Sequence, residues 1–193
     1  MKRVVVSDIF GRTKALEALA FDIDAHKVID PYGGMDLGFI DEPQAYNHFT
    51  EHSSVNEYGA IVKEAIAHYQ EPVTLIGFSV GASAVWEMIG THQLANLSGA
   101  LLFYGGQIRK RTQLQPSCPT TLVFAHEEQH FDVQELMSSL SSKERVNCHR
   151  ATGLHGFMNA HSVNYNQHCY QHYLHTIKAK PLHQCVSSCS FSY

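Results

Sequence analysis

Short β-branched runs alternate with helix-patterned segments along most of the chain, and this alternation limits the available folds more than any single residue does. Arg3 to Val6 reads as a strand, Lys14 to Leu19 as a short helix, and His26 to Ile29 as a strand closed by Asp30-Pro31-Tyr32-Gly33-Gly34. A polar stretch follows to about Ser53. Val55, Tyr58, Ile61, Val62, Ile66 and Tyr69 then recur at helical spacing, and Ser54 with Glu57 makes a capping box at the start of that helix. Strands are expected at Val73 to Ile76, Ala100 to Phe103, Thr120 to Ala125 and Arg145 to Arg150. Helices are expected at Ala82 to Ile89, Val133 to Leu140 and Asn164 to Ile177. Parallel neighbours need crossover connections, so this order predicts an α/β fold. It would have three layers, α/β/α, around a mostly parallel sheet of about six to seven strands.

The 193 residues are 44% hydrophobic and 17% charged, which suits one domain spanning 1–193 with its core at about 3–178. Residues 180–193 carry no period and read as a tail. With 14 Lys and Arg against 18 Asp and Glu there is no basic excess to neutralise phosphates, so nucleic acid is not an expected partner. No apolar run is long enough to span a membrane, and Met1 to Asp8 lacks the apolar region of a signal peptide. Cys118, Cys148, Cys169, Cys185 and Cys189 are odd in number and lack CxxC spacing, so neither a disulfide framework nor a zinc ribbon is expected. The expected setting is the cytoplasm.

The sharpest motif is Gly77-Phe78-Ser79-Val80-Gly81, G-x-S-x-G at a strand-to-helix junction. Such a turn pushes its central residue into a strained backbone, and the flanking glycines avoid collisions with strand and helix. Ser79 would stand at the carboxyl end of the sheet with the Val80 amide at a helix N-terminus, a natural oxyanion donor. A serine hydroxyl needs a histidine base and a carboxylate to hold that base's tautomer, in the chain order Ser, acid, His. His155, in the Gly-rich loop Thr152-Gly153-Leu154-His155-Gly156-Phe157, suits the base. The acid belongs on the loop His126-Glu127-Glu128-Gln129-His130-Phe131-Asp132; Glu128 is the candidate, since Asp132 reads as the N-cap of the next helix.

The chain has 14 histidines, and His126-Glu127-Glu128-Gln129-His130 also satisfies the zinc-peptidase pattern H-E-x-x-H. That motif binds metal only on a helix, whereas Pro119 to Phe124 before it reads as a buried strand. His168, His172 and His175 are spaced for a metal on the last helix but read as its solvated face. No metal and no cofactor are expected.

With these residues assembled, the chain resembles the dienelactone hydrolase family of α/β-hydrolases from roughly Val4 to Ile177. The resemblance is carried by Val6-Ser7-Asp8-Ile9-Phe10-Gly11, Val28-Ile29-Asp30-Pro31-Tyr32-Gly33, the elbow, Phe103-Tyr104-Gly105-Gly106, and His155-Gly156-Phe157 with Asn164-Tyr165. It implies a minimal α/β-hydrolase core without a lid, hydrolysis of an ester or lactone, and an oxyanion hole from the amides of Ile9 and Val80. The family's acidic residue in the first motif falls on Asp8, which would contact the nucleophile at rest or else serve as a strand-end turn residue. Three departures stand out. The family's nucleophilic cysteine is Ser79 here, its catalytic aspartate falls on Gln129, and the arginine that holds the substrate carboxylate is replaced at Met158-Asn159. Dienelactone itself is therefore not the expected substrate.

The sequence thus predicts a serine esterase or lactonase using Ser79, His155 and Glu128 on a small-molecule substrate. The alternative is a hydrolase-fold protein with a degenerate acid position and a binding role, motivated by Gln129. A zinc peptidase through His126-Glu127-Glu128-Gln129-His130 comes third.

Overall fold

The computed structural model describes residues 1–179, so the tail from Lys180 to Tyr193, with Cys185 and Cys189, lies outside the described residues. In chain order the elements are β1 (Lys2–Val6), α1 (Lys14–Asp22), β2 (Lys27–Ile29), α2 (Glu42–His52), α3 (Val55–Ile66), β3 (Val73–Phe78), α4 (Val80–Thr91), β4 (Leu97–Phe103), β5 (Thr120–Phe124), α5 (Val133–Ser141), β6 (Val146–Arg150) and α6 (Gln167–Ala179). A single 3-10 segment, Gly106–Lys110, follows β4.

Six strands form one sheet in the order β2-β1-β3-β4-β5-β6, and every neighbouring pair is parallel. Side chains alternate across it. Val4, Val6, Leu75, Leu102, Leu122 and Phe124 pack on one face with Tyr58, Val62 and Ile66 of α3, Val85 of α4 and Leu136 of α5. Val5, Ile76, Leu101, Phe103 and Val123 pack on the other with Leu19 of α1 and Leu174 and Ile177 of α6. This period of two, with both faces covered by helices, is the three-layer architecture expected from the sequence. α4 buries Val80 through Trp86 without interruption, which explains why its sequence is apolar around the whole helix.

The structure corrects the reading of residues 35–53. Asp41 accepts a hydrogen bond from the Gln44 amide and caps α2, with a proline in its first turn. The helix buries Ala45 and Phe49. Two core contacts in eleven residues leave too weak a period to see in sequence. At α3 the capping pair forms as expected: the Glu57 amide donates to Ser54 Oγ at 3.2 Å and the Ser54 hydroxyl donates to Glu57 Oε2 at 2.8 Å.

Strand order reverses between β2-β1 and β1-β3, so the carboxyl ends of β1 and β3 flank the switch point where an open α/β sheet leaves a crevice. The loops after these two strands begin with Ser7 and Ser79 respectively.

Candidate active site

Ser79 adopts φ 50° and ψ −113° at the β3–α4 turn, a left-handed conformation that costs a non-glycine residue on the order of 1–3 kcal/mol. The surrounding glycines make it sterically feasible. A Cβ at Gly81 would sit 2.1 Å from the Ser7 carbonyl oxygen and 2.8 Å from that of Val6, and one at Gly77 would sit 2.8 Å from Ala82 Cα. The elbow is therefore wedged against β1 by backbone contact. The Ser79 amide donates to Phe103 O at 2.9 Å, and the Ser83 hydroxyl donates to Ser79 O at 3.1 Å.

The three residues selected from sequence come together. Ser79 Oγ lies 2.9 Å from His155 Nε2, and His155 Nδ1 lies 2.7 Å from Glu128 Oε1. They arrive from three loops, after β3, β6 and β5. Glu128 pairs with Phe131 in an isolated antiparallel bridge that turns its carboxylate inward, leaving its side chain 13% exposed. Gln129, at the tip of this turn, is exposed. Asp132 caps α5 by accepting from the Glu135 amide at 3.0 Å.

His126 and His130 are exposed on the same loop, outside any helix, so the H-E-x-x-H spacing does not put them on one helical face. His168, His172 and His175 are exposed on α6.

Residues not singled out as functional from sequence complete the histidine's setting. The Tyr104 ring packs against the His155 imidazole with centroids 5.0 Å apart, and Asn164 Nδ2 donates to His155 O at 2.9 Å. The reach of Asn164 back to the loop has no sequence signal of its own.

Ile9 and Val80 both line the cleft that contains Ser79, and neither backbone amide donates to another group among the described residues. Ile9 is held from behind, because the Tyr32 hydroxyl donates to its carbonyl at 2.7 Å.

For Asp8 the sequence leaves two readings open, a contact of the nucleophile and a strand-end turn residue. Its Oδ1 accepts from the Phe10 amide at 3.0 Å and its Oδ2 from Asn159 Nδ2 at 2.6 Å, and none of its hydrogen bonds goes to Ser79. The Phe10 bond is an Asx turn that spans Ile9, and Asn159 lies four residues beyond His155. Asp8 therefore ties the Ile9 loop to the histidine loop. Burial raises its carboxyl from 3.8 to about 6, against the lowering effects of the Phe10 and Asn159 bonds and of nearby His155.

These groups line a cleft of about 970 Å³. Its lining includes Ile9, Pro43, Tyr46 and Phe49 of α2, Gln107, Arg109 and the acid loop. A hydroxyl hydrogen-bonded to an imidazole that is itself oriented by a carboxylate is an arrangement that can activate an oxygen nucleophile.

No model of a known protein family matches the chain. It is 32% identical over 130 residues to the uncharacterized protein YczH of Bacillus subtilis (strain 168), a match that covers 66% of this chain and 63% of YczH, so the chain spans less than two thirds of that relative. Among solved structures it is similar to a candidate dienelactone hydrolase from Klebsiella pneumoniae subsp. pneumoniae MGH 78578. The TM-score is 0.64 at 13% identity, over 88% of this chain and 81% of that one. It is also similar to a dienelactone hydrolase-like promiscuous phosphotriesterase from metagenomic libraries. Here the TM-score is 0.59 at 15% identity, over 89% of this chain and 82% of that one. At such identities the likeness is one of architecture, and together with the parallel sheet and the serine elbow it establishes that the chain has the α/β-hydrolase fold in the form shared by dienelactone hydrolase-like proteins.

Proposed function

We propose that the protein is a serine hydrolase that cleaves a small carboxylic ester or lactone through an acyl-enzyme. The observation that carries this reading is the continuous hydrogen-bonded chain from Ser79 Oγ through His155 to Glu128 Oε1. In the first half-reaction Ser79 Oγ attacks the acyl carbon while His155 Nε2 takes the hydroxyl proton. The amides of Ile9 and Val80 stabilise the tetrahedral oxyanion, helped by the α4 N-terminus. The acyl C–O bond then breaks, and His155 returns the proton to the departing alkoxide. In the second half-reaction water attacks the acyl carbon as His155 accepts its proton; the acyl C–Oγ bond then breaks, and His155 returns that proton to Ser79 Oγ as the acid leaves. The Glu128 carboxylate fixes the imidazole tautomer and offsets its positive charge. The step needs no cofactor or metal.

The binding-only reading was motivated by Gln129, and it loses that motivation because Glu128 partners His155 Nδ1. No helix among the described residues is long and apolar enough to cross a membrane. Among the described residues Cys118, Cys148 and Cys169 form no disulfide with one another. Turnover of short 4-nitrophenyl esters and simple lactones tests the proposal. Wild type should hydrolyse members of the panel and Ser79→Ala should lose at least about 10³-fold in kcat. Equal rates in both proteins would refute it.

A further inference from the structure

The lining of the cleft is chemically mixed. It includes Pro43, Tyr46 and Phe49 of α2 and the charged side chain of Arg109, from the segment after β4. Arg109 is the one Lys or Arg among the described residues lining the cleft. Its guanidinium lies 5.1 Å over the Phe131 ring and donates Nη1 to Gly106 O. Arg12 and Arg111 are paired with Glu17 and Glu87, but no carboxylate among the described residues is within ion-pair distance of Arg109. A guanidinium has five donors in a rigid fork, so fixing it against one ring and one carbonyl leaves most of that fork unused.

The carboxylates of the cleft narrow what could use it. Glu128 is held by His155, and Glu42 Oε1 accepts from the Ser162 hydroxyl at 2.5 Å. Glu127 is exposed and lines the cleft as Arg109 does. With these acids present the cleft carries no net positive field to concentrate anions in general. Recognition of an anion has to come from short, directional bonds to the fork itself.

We propose that the cleft takes an amphipathic ester, with an apolar arm along Pro43, Tyr46 and Phe49 and one carboxylate bound by the Arg109 guanidinium. This rests on the hydrolase reading above and makes Arg109 the residue that sets substrate charge. The planar carboxylate matches the fork, and the Phe131 ring beneath restricts the guanidinium before the ligand arrives.

The test compares three esters of equal chain length: monomethyl adipate, methyl hexanoate and methyl 6-aminohexanoate, which end in a carboxylate, a methyl and an ammonium. Each is titrated into Ser79→Ala protein by heteronuclear NMR, so the readout does not depend on turnover. Monomethyl adipate should bind roughly 10-fold or more tighter than methyl hexanoate. Adding Arg109→Met should erase that advantage, Arg109→Lys should keep only part of it, and Glu127→Gln should enlarge it a few-fold. Equal affinity for the adipate and hexanoate esters, or tighter binding of the ammonium ester, would overturn the proposal. Should Arg109→Met fail to fold, the ranking of the three ligands with Arg109 intact still decides. Fluorophosphonate labelling of wild type separates this claim from the one beneath it. A labelled Ser79 with no carboxylate preference refutes the subsite alone. An unlabelled Ser79 with the preference intact refutes the hydrolase and leaves the subsite standing.

Discussion

Glu128 and Gln129 are neighbours, and the bridge between Glu128 and Phe131 decides which of them reaches His155. The sequence identified the acid loop and favoured Glu128 by its place just after the strand, but only the folded turn shows its carboxylate inward and Gln129 at the exposed tip. Glu128→Gln should lower kcat by roughly 10³- to 10⁴-fold with little change in KM, because an amide at this place no longer stabilises the imidazolium. Gln129→Asp should alter kcat by less than about 10-fold in steady-state assays. Asp8 makes a different prediction, one of stability. Its carboxyl is raised from 3.8 in the unfolded chain to about 6 in the fold, chiefly by burial, so the folded protein holds this proton more tightly. The resulting stability is fully present below pH 3.8 and is lost as pH rises through about 6. Replacing Asp8 by Asn removes this dependence. Urea unfolding should therefore show the variant gaining on wild type by about 2 kcal/mol between pH 4 and pH 8. A gap that does not change with pH would contradict the assigned burial.

The elements that hold the site were legible to the extent that their packing is periodic. β1, β3, β4 and β5 are short buried strands bracketed by turn residues, and α3 shows its core stripe of Tyr58, Val62 and Ile66 directly in sequence. α2 was missed because its packing rests on Ala45 and Phe49 alone, with Asp41 and Pro43 as the remaining signs of a helix start. The elbow was legible because its glycines are forced by contact, not by local preference. Gly81→Ala would drive a methyl group to 2.1 Å from the Ser7 carbonyl oxygen, between elements whose backbones are fixed by the sheet. That substitution should cost about 3 kcal/mol or more in chemical denaturation and displace Ser79. Asp41→Ala should cost only about 1 kcal/mol, the value of one helix cap. What sequence could not supply were links between distant loops, such as Asn159 to Asp8 and Asn164 to His155. Each is set by a single polar atom whose reach depends on the finished fold.

At the scale of the whole molecule, one parallel sheet brings the loops after β1, β3, β5 and β6 to a common edge. The order β2-β1-β3-β4-β5-β6 puts the serine loop beside the Ile9 loop at the switch point. Among the described residues most histidines are exposed side chains, and among them His155 alone is placed between a hydroxyl and a carboxylate. A chelator such as EDTA should accordingly leave ester hydrolysis within about twofold of its untreated rate, whereas a zinc peptidase would lose its activity. The central claim is that Ser79 is an activated nucleophile, and active-site labelling tests it most directly. Folded wild-type protein treated with a fluorophosphonate probe should gain one covalent adduct, located by mass spectrometry on the peptide containing Ser79 and absent from Ser79→Ala. A wild-type protein that is folded by circular dichroism yet takes up no probe, or takes it up equally after Ser79→Ala, would contradict the account.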